Sequence, residues 1–285
     1  MINRLFVLLQ YLLPQHLLSR LTGRLAQTPR PWLKTPMIKA FIRRYGVDMS
    51  EALEADPNAY SCFNDFFTRA LKPGIRPIDP SADSLVCPAD DSVSQLGEIK
   101  EGRIFQAKGQ FYTCLELLGG DKTLAETFAN GRFATIYLSP RDYHRVHMPC
   151  AGRLRTSIAI PGELYSVNEV TANQVPRLFA RNERLVTIFD TDQGPMAMVL
   201  VGAMIVAGIE TVWGGQALPV TRRIQRLDYR PEAYDITLAK GQEMGRFKLG
   251  STVVLLFPRD NVSWEPACQA GSRTRLGQKL GRFAS

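Results

Sequence analysis

The chain reads as an α+β protein, with a mainly β body carrying an N-terminal basic amphipathic helical region. Three observations predict it. Apolar residues recur at helical spacing through the first 47 positions. From about Leu85 the texture changes to short, β-branched apolar runs separated by Gly, Pro and Asp. The charge divides between the same two regions. At 285 residues and 45% hydrophobic composition, the chain can bury a substantial core. Residues 1–60 are therefore assigned as a helical docking region and residues 61–285 as the body.

The formal net charge is +8, and its placement says more than its size. No Asp or Glu occurs between Met1 and Gly46, where eight bases stand: Arg4, Arg20, Arg24, Arg30, Lys34, Lys39, Arg43 and Arg44. Removing these eight from the 35 Lys and Arg leaves 27, against 27 Asp and Glu. The body is neutral, so a uniformly basic nucleic-acid binder is excluded and no nucleic-acid partner is expected.

The first helical stretch runs from Leu5 to Leu13, about half the ~20 residues needed to span a bilayer, and Pro14 interrupts it. No small-x-small cleavage site follows it, and the bases continue, so a signal peptide does not fit. Leu17, Leu18, Leu21 and Leu25 then recur with Arg20 and Arg24 on another side. Trp32 to Tyr45 repeats the pattern, with Met37, Ile38, Phe41 and Ile42 against Lys39, Arg43 and Arg44. Acid-free basic amphipathic helices suit an anionic membrane surface. The alternative is that these faces only pack on the body, but such helices seldom exclude acids so completely.

In the body, Pro57 to Pro80 is transitional. Phe133–Leu138, Leu185–Phe189 and Thr252–Phe257 read as strands. Met196–Ile209, fourteen residues with two glycines, reads as a buried strand or two, and the end from Gly271 as a loose tail. The five cysteines, Cys62, Cys87, Cys114, Cys150 and Cys268, are scattered without a CxxC pair. That pattern argues against a disulfide framework or a zinc site.

The stretch Phe247 to Phe257 carries the first chemical signal. It sets the Ser251 hydroxyl beside a peptide bond whose acyl side is Gly250, the least hindered carbonyl available. A plain strand entered through small residues is the commoner meaning of such a pair. Three histidines supply the bases. His16 lies in the amphipathic segment. His144 and His147 follow Ser139-Pro140-x-Asp142, a helix-start pattern, and a helical turn there would place both rings on one side. His-x-x-His lacks nearby carboxylate or thiolate ligands, so no metal is expected, and two structural histidines are the plain alternative. Asp90 and Asp91 follow Pro88-Ala89 as turn residues, or as an acid buried against an imidazole in an Asp–His–Ser relay. No Gly-x-Ser-x-Gly elbow marks Ser251 as an ordinary hydrolase nucleophile.

Several long motifs recur together: Pro88-Ala89-Asp90, Ser94-Gln95-Leu96-Gly97, Lys108-Gly109, Tyr137 through Pro149, and Pro161-Gly162-x-Leu164-x-Ser166-Val167-Asn168. Leu178 through Arg184 and Gly245 through Thr252 continue the set. With these the chain resembles the bacterial phosphatidylserine decarboxylases, which are pyruvoyl-dependent and membrane-associated. The likeness covers nearly the whole chain. One position departs: the family usually has Gly where Asp91 stands.

The resemblance implies self-cleavage between Gly250 and Ser251, giving a long chain 1–250 and a short chain 251–285 that stay associated. Asp90, His147 and Ser251 would form the cleavage relay, and Ser251 would become a covalent pyruvoyl group. That group would decarboxylate phosphatidylserine to phosphatidylethanolamine through a Schiff base, with His144 as proton donor and carboxylate contact. Ser166 and Tyr137 would bind substrate. The implied setting is the cytoplasmic side of the cell membrane, peripherally held through residues 1–47, with a homodimer as a further expectation. Two rivals remain: a serine hydrolase using Asp90, His147 and Ser251 on an external ester or amide, and a membrane-binding scaffold without catalysis.

Overall fold

The apolar run after Ser251 folds into an interior strand, Ser251–Phe257, of a nine-stranded antiparallel sheet. The computed structural model describes residues 2–204, 208–218, 223–230, 232–248 and 251–284. Gly194–Val201 and Arg132–Leu138 flank the strand, with Thr252 opposite both Val201 and Tyr137, and Ser251 opposite Leu138. Side chains alternate along a strand. Val254 and Leu256 enter one hydrophobic core, while Val253, Leu255 and Phe257 enter a second on the other face. Both faces are covered, which explains an uninterrupted apolar run where a half-exposed strand would alternate.

On one side the sheet continues through Arg184–Thr191 and Gly152–Ile160 to Gln225–Asp228. On the other it passes through Asp91–Glu98 to Arg273–Thr274. A four-stranded sheet lies in the order Gly215–Leu218, Gly208–Thr211, Glu243–Lys248, Arg145–His147. Met196–Ile209 thus does supply two strands, Gly194–Val201 in the large sheet and Gly208–Thr211 in the small one. Glu243–Lys248 leads toward Ser251, so the chain passes from the small sheet to the large one at Leu249 and Gly250, which lie outside the described residues.

Three helices precede the body: α1 (Ile2–Leu12), α2 (Gln15–Ala26) and α3 (Pro31–Tyr45). Helix α3 starts on Pro31, whose missing N–H would be unpaired anyway, and ends at Gly46 with φ 64°, the left-handed stop that glycine adopts freely. Each helix buries a narrow stripe: Val7 and Gln10, then Gln15, Ser19 and Ala26, then Lys34 and Ile38. A short helix α4 (Phe63–Phe67) closes an aromatic cluster with Ile38, Tyr60 and Phe41. The opposite faces stay open, with Leu8, Leu12, Leu17, Leu21 and Trp32 exposed. Among the described residues no helix is long and apolar enough to cross a membrane.

Two expectations are corrected. Ser139 to Asp142 forms a turn closed by Asp142 N–H donating to the Ser139 carbonyl at 3.0 Å, not a helix start. The next residues are claimed by the small sheet, where Arg145 opposes Arg246 and Val146 opposes Gly245. The end beyond Gly271 is not loose. Leu276 and Leu280 are buried, and Lys279–Phe283 pairs with both Ser84–Val86 and Val262–Trp264. All five cysteines are free thiols, and burial pushes Cys87, Cys114 and Cys150 up to about 12, which suits packing rather than reactivity.

Candidate active site

His144 precedes and His147 ends a short strand, not the helical turn that would have set both rings on one side. His147 ends the Arg145–His147 strand, opposite Glu243, and its backbone N–H donates to the Pro88 carbonyl at 2.9 Å. The Pro88-Ala89-Asp90 motif is thereby pinned against the histidine strand. Nδ1 of His147 lies 2.8 Å from the Gly241 carbonyl, which can only accept, so Nδ1 carries the proton. Nε2 is left as the basic atom and accepts from the Tyr143 hydroxyl at 3.0 Å. Burial lowers the His147 pKa, with the Gly241 carbonyl, Glu243 and Asp90 acting against that shift.

His144 is fully buried, its ring 4.0 Å centroid to centroid from Phe67. Its Nδ1–H donates to the Asp142 carbonyl at 2.8 Å, and Nε2 is buried with no hydrogen-bond partner. Burial lowers its pKa to about 3, so the ring is neutral with an open lone pair. Its own carbonyl accepts from Phe247 N–H at 2.9 Å, which ties it to the strand leading into Gly250-Ser251.

Asp90 is 5% exposed and is held by Arg76, not by an imidazole. Nε of Arg76 reaches both carboxylate oxygens at 3.0 Å, and Nη2 reaches Oδ2 at 2.6 Å. The same guanidinium binds Glu51 at 2.7 Å. Leu276 N–H also donates to Asp90 Oδ1 at 2.8 Å. The expected direct hold of Asp90 on the His147 ring is therefore not what orients it; Gly241 and Tyr143 do that. A buried carboxylate binds the nearest guanidinium in preference to a neutral ring, because charge-assisted pairs are the stronger. The charge of Asp90 is a minor influence on His147, behind burial, the Gly241 carbonyl, Glu243 and Arg145.

Asp91 has φ 116°, a conformation that L residues rarely adopt, and its Oδ2 accepts from Ser139 N–H at 3.0 Å. Glycine would adopt this angle without strain, which gives a backbone reason for the glycine that the resemblance leads one to expect at this position. Asp142, assigned by spacing to a helix start, instead presents a half-buried carboxyl. Burial, then Asp91, raises its pKa to about 6, and its Oδ2 lacks a hydrogen-bond donor, with Arg141 at 3.7 Å. Sequence reasoning missed Arg76, Tyr143 and Asp142 as site groups. Only the last two stood inside a quoted motif, and nothing in the sequence marks Arg76.

Tyr137 opposes Thr252 across the ladder, and burial pushes its phenol up to about 12. The Ser166 N–H donates to Gln10 Oε1 at 2.8 Å and its hydroxyl accepts from Asn168 N–H. The Pro161 to Asn168 motif thus receives the N-terminal helices, since Leu164 N–H likewise donates to Gln15 Oε1 at 2.7 Å. Ser251 is fixed by its backbone, while its side chain is not among those described. Three cavities approach this region. One of about 390 Å³ is lined by Asp90, Asp91, Asp142 and Tyr143. Two others, of about 500 and 520 Å³, are each lined in part by residues of α2.

A fully buried imidazole nitrogen without a hydrogen-bond partner, on a residue tied through Phe247 to the strand that leads toward Ser251, marks a candidate functional site. A family model described as phosphatidylserine decarboxylase matches residues 63–282, and a second, described as PSD, matches residues 5–46. The chain is 57% identical to the phosphatidylserine decarboxylase proenzyme of Azotobacter vinelandii, over 98% of both chains. It is 58% identical to that of Pseudomonas fluorescens, over 98% of this chain and 97% of the relative, and 56% to that of Alcanivorax borkumensis, over 99% and 97%. The chain belongs to the phosphatidylserine decarboxylase family.

Proposed function

We propose that this chain is a proenzyme that cuts itself between Gly250 and Ser251, and then decarboxylates phosphatidylserine to phosphatidylethanolamine through a pyruvoyl group made from Ser251. The observation that carries the reading is the seat of Ser251. It opens a strand hydrogen-bonded on both sides and buried on both faces, so breaking the preceding bond releases nothing. The short chain is held again by Arg273–Thr274 on Asp91 and Ser92, and by Leu276 on Asp90.

In the cleavage step His147 Nε2 takes the hydroxyl proton of Ser251, giving up the Tyr143 hydroxyl, while Gly241 keeps Nδ1–H aimed. The oxygen attacks the Gly250 carbonyl and the C–N bond breaks, leaving an ester. Elimination then breaks the Cβ–O bond and frees the Gly250 carboxylate. Hydrolysis of the resulting enamine releases ammonia. Asp90 favours the charged imidazolium through space, as a positioning residue.

The pyruvoyl group, once formed, supplies an electron sink for the pair left by departing carbon dioxide. The surroundings fit such a group: His144 Nε2 and Thr252 Oγ1 are buried without partners near the strand entrance. Neutral His144 has no Nε2 proton to give at first. It accepts one from the substrate ammonium and returns it to the carbon that lost carbon dioxide. The burial that weakens it as a base makes its imidazolium a stronger acid. Tyr137, beside Thr252, is the substrate-side neighbour on this face, and Ser166 acts through helix docking. The exposed leucines and unopposed bases of residues 1–47 support peripheral docking on an anionic, cytoplasmic-side membrane. Residues 1–60 form this docking region on the catalytic body 61–285. A homodimer is a further part of this proposal, and sedimentation tests it.

Intact mass of the purified protein decides between this reading and a hydrolase. Self-processing predicts two fragments, the smaller without a free α-amino group, and borohydride with phosphatidylserine traps an adduct on it. A single uncut, active chain overturns the proposal.

A further inference from the structure

Helix α2 presents three distinct faces. Gln15, Ser19 and Ala26 are buried against the body, and Leu17, Leu21 and Leu25 are 54%, 52% and 44% exposed. His16, Arg20 and Arg24, spaced four apart on a third face, line the cavity of about 500 Å³. Neither arginine has an ion pair or hydrogen bond among the described residues. The far wall includes Gly202, Gly208 and Lys248, and Glu183 is the one carboxylate on the described lining. Lys248 is paired with Glu210, so the lining cations without an ion pair among the described residues are Arg20 and Arg24 on α2.

The cleft lies beside the start of the strand that Ser251 opens. Gly202 follows Val201, the ladder partner of Thr252, and Lys248 stands three residues before Ser251. The rotation of α2 is fixed: Gln15 accepts from Leu164 N–H and donates to the Gln10 carbonyl, while Gln10 accepts from Ser166 N–H. The leucine face lies one residue round the helix from the basic face. A helix resting on lipid by its leucines therefore holds its arginines at headgroup depth, turned toward the strand entrance.

We infer that Arg20 and Arg24, with His16 at the mouth, bind the phosphodiester of the phospholipid whose headgroup amine reacts at residue 251. This deepens the decarboxylase reading and rests on it. In such a substrate two carbons and an oxygen separate nitrogen from phosphorus, so the phosphate lies roughly 5 Å from the reacting nitrogen by ordinary bond lengths. Guanidinium groups suit it because they bind phosphate oxygens in bidentate pairs, which a headgroup lacking phosphate cannot supply.

The test uses the full chain and the double variant Arg20→Gln/Arg24→Gln, with Arg20→Lys/Arg24→Lys as the charge-retaining partner. Calorimetry with monomeric dihexanoyl-phosphatidylethanolamine needs no turnover, so it reads the phosphate contact even if the decarboxylase reading fails. The glutamine variant is expected to bind at least about tenfold more weakly and the lysine variant to recover part of the loss. With monomeric dihexanoyl-phosphatidylserine the same loss is expected in KM, with kcat changed less than about threefold. Binding of O-hexyl-serine, which has no phosphate, is expected to match wild type. Weakening only toward phosphatidylglycerol vesicles, with monomer binding unchanged, overturns the inference in favour of bulk surface charge. Equal loss for the phosphate-free ligand overturns it in favour of general damage. Absence of cleavage in wild type instead refutes the processing scheme and leaves the calorimetric arm standing.

Discussion

The strand after Ser251 and the helices before residue 47 solve opposite problems. Thr252 to Phe257 is buried on both faces and bonded along both edges. Helices α1 and α2 are attached by a narrow stripe, largely through the two glutamines, and leave their leucines uncovered. A region held on every side tolerates a cut at its own end. A region held on one side keeps a face free for a second phase. On the proposed reading, cleavage chemistry belongs with the first region and substrate delivery with the second.

The sharpest way to break this division is to remove the reacting groups. Ser251→Ala and His147→Ala are expected to stay as one chain on denaturing electrophoresis, without pyruvoyl chemistry. His144→Ala is expected to be cut normally yet to decarboxylate about 10²–10⁴-fold more slowly, the usual worth of a positioned proton donor. Normal cutting in His147→Ala would reassign the base. Next comes the strand itself. Leu255→Ala leaves a cavity between two sheet neighbours and the second core, and is expected to cost about 2–5 kcal/mol by denaturant titration. An exposed leucine such as Leu17 changed to Ala is expected to leave stability within about 0.5 kcal/mol while weakening vesicle binding.

Much of this contrast was legible in the sequence, because it is carried by periodicity. The acid-free amphipathic repeats gave α2 and α3, and the β-branched run gave Ser251–Phe257. The Gly-Ser bond and the histidine pair were likewise visible as residue types. What stayed hidden depends on contacts between distant segments. Arg76 meets Asp90 across fourteen positions and Leu276 meets it across 186. Local spacing carries no trace of either. The Ser139-Pro140-x-Asp142 pattern misled for a related reason: pairing with Glu243–Lys248 outweighs a short local helix signal. That Pro161 to Asn168 receives the N-terminal helices was hidden because its partners, Gln10 and Gln15, lie some 150 residues away.

Acidification distinguishes the buried interior from the helical face. His144 has its pKa lowered to about 3 in the folded chain, against about 6.5 when unfolded. Between those values the unfolded chain binds more protons, so the stability due to neutral burial is present above about pH 6.5 and lost as pH falls toward 3. Asp142, raised to about 6, holds its proton better when folded and offsets part of that loss between about pH 6 and 4. Denaturant midpoints against pH are expected to fall less steeply below pH 6.5 in His144→Gln than in wild type. Parallel slopes would mean that His144 is not buried neutral.

The helical attachment is weaker and can be loosened separately. Gln10→Ala or Gln15→Ala leaves Ser166 N–H or Leu164 N–H buried without its acceptor, a cost of about 1–3 kcal/mol each. Hydrogen exchange is expected to speed up in α1 and α2 while the amides of Val253 to Leu256 keep their protection. Equal acceleration in both would show that helices and strand open as one unit.

A finer test sits at Asp91, where the comparison reduces to one backbone angle. Within a strand, glycine is ordinarily worse than alanine by roughly 0.5–1 kcal/mol, because it loses more freedom on folding. At φ 116° that order should reverse. Asp91→Ala keeps the strained conformation, about 1–3 kcal/mol for a residue with a Cβ, and also loses the bond from Ser139. Asp91→Gly loses the same bond but relieves the strain, so the two variants differ only in the backbone term and in chain entropy. Asp91→Gly is expected to be the more stable of the pair by about 1 kcal/mol, and to lie within about 1 kcal/mol of wild type. If alanine proves equal to glycine, the turn has relaxed out of the positive-φ region, and the family's usual glycine at this place has no conformational cause.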